Sequence, residues 1–183
     1  EQVREFEIVG QSVPRVEGYD KVTGRAEYTD DIDLHGMTYA KVYCSPVAHG
    51  IIKKVDVSKA KEYPGVLDVI VGEEHPKKYS VNDLLPTETP LAVDKVRYFG
   101  EGLAAVVAIS EQIAAEALAL IDVEIEELPA LVNAHDSEAS ADNLIHDFAK
   151  NNTNHTAEQH FGDVDDALAK SDVVVEETFY TSM

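Results

Sequence analysis

SPVAHGIIKKVDVSKAKEYPGVLDVIV, residues 45–71, contains one complete strand–helix–strand unit and decides the fold of this chain. Ile51, Lys53, Val55 and Val57 lie at every second position, and this mainly apolar row predicts one face of a strand. Ser58 is a good N-cap for a short helix over residues 59–62, which Pro64-Gly65 ends. The nearly all-apolar run 66–71 predicts a second, buried strand.

The same order of elements recurs at residues 103–127. LAAVVAI at 103–109 predicts a buried strand, Ser110 predicts the N-cap of a helix over 111–121, and 122–127 alternates acidic with aliphatic residues. The two units resemble internal copies, and each connection is long enough for a crossover between parallel strands. We therefore expect an α+β fold with two strand–helix–strand units, mixed sheets and two main helices on one face.

Weaker signals organise the remaining chain. Alternation at 39–44 predicts a strand, and three prolines within 76–90 predict a loop. Asp163 is a candidate N-cap for a new helix, with Asp166 three residues later. The apolar residues of 173–181 predict a further strand.

The acidic composition narrows the possible partners. Fifteen Lys and Arg oppose 35 Asp and Glu, giving a formal net charge of −20, which disfavours nucleic acid and anionic membranes. The single cysteine, Cys44, excludes an internal disulfide, and its apolar strand predicts a buried core thiol. The longest apolar run, 103–109, is too short to span a bilayer and no signal peptide is visible, so we expect a cytoplasmic location.

Four longer stretches carry a resemblance through their order and spacing. They are VPRVEGYDKVTGRAEYTDD (13–31), SPVAHGIIKKVDVSKAKEYPGVLDVIVGEE (45–74), KVRYFGEGLAAVVAISEQIAAEALALIDVEIEELPAL (95–131) and FGDVDDALAKSDVVVEETFYT (161–181). Together they resemble the N-terminal α/β hammerhead domain of the large subunit of the xanthine dehydrogenase/aldehyde oxidase family, the molybdenum hydroxylases. The resemblance divides the chain into a hammerhead domain at 1–135, a linker at 136–160 and a truncated start of the molybdopterin-binding domain at 161–183.

The resemblance implies an oxidoreductase as the parent protein. In this family the large subunit binds molybdenum–molybdopterin, often as the cytosine dinucleotide, and hydroxylates a purine, aldehyde or heteroaromatic carbon with oxygen from water. A relative reduces hydroxybenzoyl-CoA thioesters instead, so both reactions stay open. Electrons pass to [2Fe–2S] centres and usually FAD on partner subunits or domains.

Several hallmarks of the family have no counterpart in these 183 residues. There is no Gly-rich pterin segment and no Gly-Glu segment of the kind that supplies the glutamate beside molybdenum. One thiolate cannot supply the four ligands of an iron–sulfur cluster. We therefore expect no catalytic, cofactor-binding or metal residues here, and a domain that is inactive alone but forms part of the substrate channel and the inter-domain scaffold.

Two turns provide candidate residues for the substrate channel or a domain contact. In Tyr98-Phe99-Gly100-Glu101-Gly102, two glycines flank a carboxylate just before a buried strand, and the resemblance orients this turn towards the catalytic domain. The competing interpretation is a tight turn whose Glu101 is solvated or caps the backbone. His49, in a Ser-Pro-x-Ala-His segment, is either a polar group of the channel or a structural hydrogen-bonding residue.

Other polar patterns have simpler explanations. The seven histidines lack the helical His-x-x-x-His spacing of a metal site, and His155 and His160 are five positions apart. The acidic row of 122–127 is explained by the solvent face of a strand. The alternative to the resemblance is a stand-alone acidic protein-interaction module, which a stop codon soon after residue 183 would indicate.

Overall fold

The computed structural model describes residue 6 and residues 8–80 and 87–181. Part of the loop predicted at 76–90 and the last residues of the segment 161–183 therefore lie outside the described residues. The helices are α1 Gly18–Thr23, α2 Ser58–Lys61, α3 Glu111–Leu118, α4 Ala134–Ala139 and α5 Val164–Ala169. The strands are β1 Tyr39–Cys44, β2 Gly50–Asp56, β3 Val66–Val71, β4 Lys95–Val96, β5 Gly102–Ala108 and β6 Asp122–Glu127.

The six strands of the described residues form two sheets of three strands each. Sheet 1 has the order β1-β5-β3 and sheet 2 the order β4-β2-β6, and every pairing is antiparallel. The predicted α+β class with two strand–helix–strand units is confirmed. The expected parallel pairing within mixed sheets is wrong.

The strands of one unit do not pair in parallel because each connection takes the chain from one sheet to the other. The first unit runs from β2 in sheet 2 through α2 to β3 in sheet 1, and the second runs from β5 in sheet 1 through α3 to β6 in sheet 2. The two strands of one unit therefore never pair with each other. The first strand of each unit instead pairs antiparallel with the last strand of the other, so the two copies interlock.

The N-cap predicted for α3 is confirmed, whereas the N-cap predicted for α2 is wrong. Ser110 caps α3 as predicted, since its hydroxyl oxygen accepts a hydrogen bond from the backbone N–H of Ile113. Ser58 is instead the first residue of α2, and its N–H and hydroxyl both donate to Oδ1 of Asp56, at 3.0 and 2.6 Å. Asp56 thus holds the entry to α2, and these bonds lower the pKa of its carboxyl.

Both crossover helices cover the same face of sheet 1, as expected. Their buried residues are alanines, Ala60 of α2 and Ala114 and Ala117 of α3. They pack on the alternate residues Ala104, Val106 and Ala108 of β5. Small side chains on both elements let the helices approach the sheet closely. A second cluster, Ala92, Val96 and Leu103, lies around the start of β5.

The polar segment 134–153 folds against sheet 2. Lys95 of β4 is buried, and its Nζ donates to the carbonyl oxygen of Leu144 at 2.7 Å and lies 3.0 Å from Oδ1 of Asp147. Within the segment, the side-chain oxygen of Asn152 accepts a hydrogen bond from the backbone N–H of Ile145 at 2.8 Å. The domain boundary at 136–160 stays a prediction, but the first part of that range is a helix and a folded loop rather than an extended connector.

Residues beyond 160 have few contacts. Asp163 caps α5 by accepting from the N–H of Asp166 at 3.0 Å, as its position predicted. The predicted strand at 173–181 forms no β-ladder with the described residues, and its side chains are exposed. An extended segment needs a neighbouring strand to satisfy its backbone, which is why the pattern alone did not produce a strand.

The position of Cys44 differs from the one that the sequence predicted. Cys44 is exposed at the end of β1, so the prediction of a buried core thiol is wrong. The alternation of β1 places Tyr39, Lys41 and Tyr43 towards the helices and leaves Cys44 on the open side.

Among the described helices, none has the length and apolar character to cross a bilayer.

Candidate functional site

The turn that the sequence singled out connects β4 to β5, and we call residues 97–101 the Gly100 loop. Its tight bend depends on Gly100, whose φ of +86° is in the region that favours glycine. The N–H of Gly100 donates to the carbonyl oxygen of Ser45 at 3.1 Å, and the N–H of Ser45 donates to the carbonyl oxygen of Glu101 at 2.8 Å. The structure therefore joins the two turns chosen from sequence through Ser45.

The carboxylate of Glu101 is turned back onto its own loop. Its Oε2 accepts a hydrogen bond from the backbone N–H of Arg97 at 2.6 Å. Partial burial raises the pKa of this carboxyl, and the bond from Arg97 opposes that shift. The geometry matches the capping interpretation of Glu101, because one carboxylate oxygen is used to close the turn.

The aromatic residues of the Gly100 loop point outward instead. Phe99 is 71% exposed and Tyr98 is 59% exposed. Partial burial and then the nearby carboxylates of Glu101 and Glu88 raise the pKa of the Tyr98 hydroxyl. Two exposed aromatic rings on a hydrogen-bonded loop form a surface suited to contact with another polypeptide or a planar ligand.

His49 is at a buried position. Its side chain is 1% exposed, and Nδ1 lies 3.1 Å from the carbonyl oxygen of Pro129. Since a carbonyl oxygen only accepts, Nδ1 carries the hydrogen, and Nε2 is a buried acceptor without a partner among the described residues. The backbone oxygen of His49 also accepts from the N–H of Leu128 at 2.9 Å. The geometry matches the structural interpretation of His49, because its ring and its backbone both bond the segment that follows β6.

A cluster of basic residues lies near the Gly100 loop. Burial and then the charges of Arg97, Lys78 and Lys95 lower the pKa of His146, which is partly buried against them. Within the part of the chain that the structure describes, no group of three or more His, Cys, Asp or Glu side chains could hold a metal ion.

Sequence reasoning missed a large concave surface. A groove of about 1020 Å³ runs along sheet 1 on the face away from the helices, and its floor includes Val42, Ile70 and Ala105. One signal could have indicated it. The run 103–109 is apolar at consecutive positions, which is typical of a strand covered on both faces, whereas the helices cover one face only.

Comparison with known proteins gives one family-model match. Residues 23–129 match the model for "Aldehyde oxidase and xanthine dehydrogenase, a/b hammerhead domain". The matched region begins in α1 and ends after β6, so it contains both sheets, both crossover helices and the Gly100 loop.

Two curated relatives illustrate the sequence similarity. The nicotinate dehydrogenase large molybdopterin subunit of Eubacterium barkeri is 32% identical over 178 residues, covering 97% of this chain and 41% of that protein. The xanthine dehydrogenase molybdenum-binding subunit of Escherichia coli O157:H7 is 37% identical over 127 residues, covering 64% of this chain and 17% of that protein. The chain thus spans less than half the length of either relative.

Solved structures contain the same fold. The aldehyde oxidoreductase from Desulfovibrio gigas superposes with a TM-score of 0.68 at 29% identity, over 75% of this chain and 16% of that chain. The CO dehydrogenase from Oligotropha carboxidovorans superposes with a TM-score of 0.60 at 32% identity, over 72% of this chain and 16% of that chain. In both proteins the matching fold is a small part of a much longer polypeptide.

Proposed function

Because this chain belongs to the aldehyde oxidase and xanthine dehydrogenase family, through its a/b hammerhead domain, we propose that it is the N-terminal domain of a molybdopterin-binding large subunit. The observation that carries the proposal is the family match over residues 23–129, which covers more than half of the chain. The relatives are enzymes, and this chain corresponds to one domain of them. Its role in this proposal is to form part of the substrate channel and to brace the other domains.

The proposed division of the chain has a hammerhead domain at 1–135, a linker at 136–160 and the start of the molybdopterin-binding domain at 161–183. Three observations support it. The family match ends at residue 129, α5 begins with its own cap at Asp163, and residues 173–181 are exposed β-forming residues without a strand partner among the described residues.

The described residues of this chain offer no ligand set for the family's iron–sulfur centres. No set of three metal-ligating side chains converges within the described ranges, and the one cysteine cannot hold a [2Fe–2S] cluster. We propose that the rest of the subunit holds molybdenum–molybdopterin, possibly in the cytosine dinucleotide form that many family members use, and that partner chains or domains hold [2Fe–2S] centres and FAD. The bound cofactor would supply the redox chemistry, either hydroxylation or the reduction of a hydroxybenzoyl-CoA type of substrate. The isolated chain would be inactive, and we propose a cytoplasmic location.

Within this role the two candidate turns have different tasks. His49 and Glu101 are positioning residues, because each uses a side-chain atom to hold a backbone N–H or carbonyl of a neighbouring segment. Phe99 is the contact residue, since its ring is exposed on a loop that Gly100 and Ser45 hold in place. The proposed channel or domain contact therefore uses Phe99, supported by Gly100, Glu101 and His49.

The test is to express the full polypeptide that contains these residues together with its neighbouring genes. We expect about one molybdenum per chain in the purified complex, with flavin and iron on partner chains or domains. The same metal analysis of the 183-residue chain is the control, and it should contain none. A full polypeptide that is stable, metal-free and without partners would overturn the proposal.

A second candidate is a self-standing acidic interaction module. The net charge of −20 and the exposed apolar residues favour it, because both are typical of surfaces that bind other proteins. The reading frame separates the two candidates. A stop codon soon after residue 183 would support the module, whereas a continuing frame that encodes a Gly-rich segment would support the large subunit.

A further inference from the structure

Sheet 1 has one face covered by helices and one face that no helix or strand of the described residues covers. Cross-strand register places Val42, Ala105 and Ile70 in one row across β1, β5 and β3. These residues alternate with Ala104 and Val106, which pack under the helices, so the row points to the opposite face. Val42 is 49% exposed at one end of this row.

The row forms the floor of the 1020 Å³ groove described above. Pro90, Leu91 and Tyr79 form a wall beside it, so the surface is concave and mainly apolar. Patches of this kind on a protein surface mark sites where another surface docks. A strand that is apolar on both faces, as β5 is, belongs in a sheet with covers on both sides.

The identity of the cover follows from chain length and charge. The fold fills only 16% of the aldehyde oxidoreductase chain, and this chain fills 41% or less of the two relatives named above. A second copy of this chain is a poor cover because each copy carries a net charge of −20. The remainder of the large subunit is linked to the same polypeptide, which gives it a high effective concentration at the groove.

We propose that the remainder of the large subunit covers the open face of sheet 1, through an apolar segment that fills the groove over Val42, Ala105 and Ile70. This inference rests on the proposed function and adds the location of the interface. The groove and the Gly100 loop would contact different parts of the partner surface. In the Gly100 loop, the contact residue is Phe99, which points outward beyond the end of β4.

Cys44 provides a built-in probe of the end of this face, where β1 lies beside the Gly100 loop. It is exposed two residues beyond Val42 on β1, with its Sγ 3.9 Å from the Val42 carbonyl oxygen. Labelling with a maleimide, followed by peptide mapping, measures its accessibility in the 183-residue chain and in the full subunit. We expect labelling in the full subunit to be slower by about tenfold or more, since a covered thiol reacts slowly. Equal labelling rates would overturn the proposal.

Substitution of Val42 tests the groove itself. Val42→Asp introduces a charge on the open face, and Val42→Thr keeps the β-branched shape as its matched control. We expect Val42→Asp to lower the melting temperature of the full subunit by several degrees more than that of the 183-residue chain, and Val42→Thr to shift both equally. Equal shifts for Val42→Asp in the two polypeptides would contradict the docking site.

Failure of this inference is distinguishable from failure of the proposed function. A full subunit that binds molybdenum while Cys44 labels freely would keep the function and reject the docking face. A full subunit without molybdenum would reject the function, whatever the labelling rate of Cys44.

Discussion

Nδ1 of His49 donates a hydrogen bond to the carbonyl oxygen of Pro129, 3.1 Å away and 80 positions later in the chain. The backbone N–H of Leu128 returns a bond to the carbonyl oxygen of His49 at 2.9 Å. These two bonds fasten the beginning of β2 to the segment that leaves β6. The histidine thus fixes where the chain goes after the last strand of sheet 2.

Replacement of His49 by alanine should destabilise the chain strongly. The substitution removes a buried ring, leaves a cavity and removes one of the two donors to the Pro129 carbonyl oxygen, which also accepts from Nδ2 of Asn143 at 2.8 Å. We expect the free energy of unfolding to fall by roughly 2–4 kcal/mol, measured by urea denaturation. His35→Ala, at an exposed histidine, is the matched control and should cost less than about 0.5 kcal/mol. Similar losses for both variants would contradict the structural role of His49.

Lys95 and Lys53 form a contrasting pair of lysines in sheet 2. The Lys95 side chain is 10% exposed and holds the 134–153 segment through Leu144 and Asp147, whereas Lys53 forms an exposed ion pair with Glu126. Lys95→Met should cost roughly 1–3 kcal/mol, because the partly buried carbonyl of Leu144 loses its donor. Lys53→Met should cost less than about 1 kcal/mol.

Limited proteolysis reports where the effect of Lys95→Met is located. We expect new cleavage within 134–153 in this variant and an unchanged pattern in Lys53→Met, since release of the segment exposes its backbone. Cleavage that stays the same in both variants would show that Lys95 does not fasten the segment.

Asn151 and Asn152 allow hydrogen bonding to be separated from backbone strain. Both have a positive φ, 52° and 57°, so alanine is similarly strained at either position. The Asn152 side chain accepts from the N–H of Ile145 and donates to the carbonyl oxygen of Ser137 at 3.0 Å. Asn152→Ala should therefore destabilise the chain by about 1–3 kcal/mol more than Asn151→Ala in thermal unfolding. Equal effects would show that strain alone matters here.

Phe99→Ala should separate folding from function. The ring is 71% exposed, so we expect the unfolding free energy of the 183-residue chain to change by less than about 0.5 kcal/mol. In the full subunit the proposed contact predicts a raised KM or weaker association between domains. An unchanged KM and unchanged association would remove Phe99 from the proposed contact.

The sequence predicted the features that depend on neighbours in the chain. The strand at Tyr39–Cys44, the Ser110 cap of α3 and the Asp163 cap of α5 depend on residues within a few positions of each other. The family resemblance also came from contiguous stretches, and the family match over 23–129 confirms it.

The predictions that failed concern features that depend on contacts between residues distant in sequence. The pairing of β2 with β6 rather than β3 depends on which sheet the chain enters after α2. No local sequence pattern specifies that sheet. The exposure of Cys44 depends on which face of sheet 1 the helices cover. The hydrogen bond from His49 to Pro129 spans 80 positions, so the sequence left its structural and channel roles open.

Glu101 and Glu111 should respond to pH in opposite directions. Burial raises the pKa of the Glu101 carboxyl above its ordinary value of 4.5, whereas the hydrogen bond from Lys41, at 2.7 Å, lowers that of Glu111. A carboxyl with a raised pKa binds its proton more tightly in the folded state. Its contribution to stability is therefore present below pH 4.5 and is lost as the pH rises through the folded-state pKa. For a lowered pKa the contribution is present at higher pH and is lost on acidification.

The variants Glu101→Gln and Glu111→Gln measure these two contributions, because glutamine keeps the shape without the titration. The free energy of unfolding of the wild type and of each variant is measured at about pH 3.5 and at about pH 7. The difference between wild type and variant is then compared between the two pH values. Relative to Glu101→Gln, the wild type should lose stability between the lower and the higher pH. Relative to Glu111→Gln, it should gain stability over the same interval. If both differences change in the same direction, the pKa of the Glu101 carboxyl is lowered in the folded chain, and the hydrogen bond from Arg97 outweighs the burial of that carboxyl.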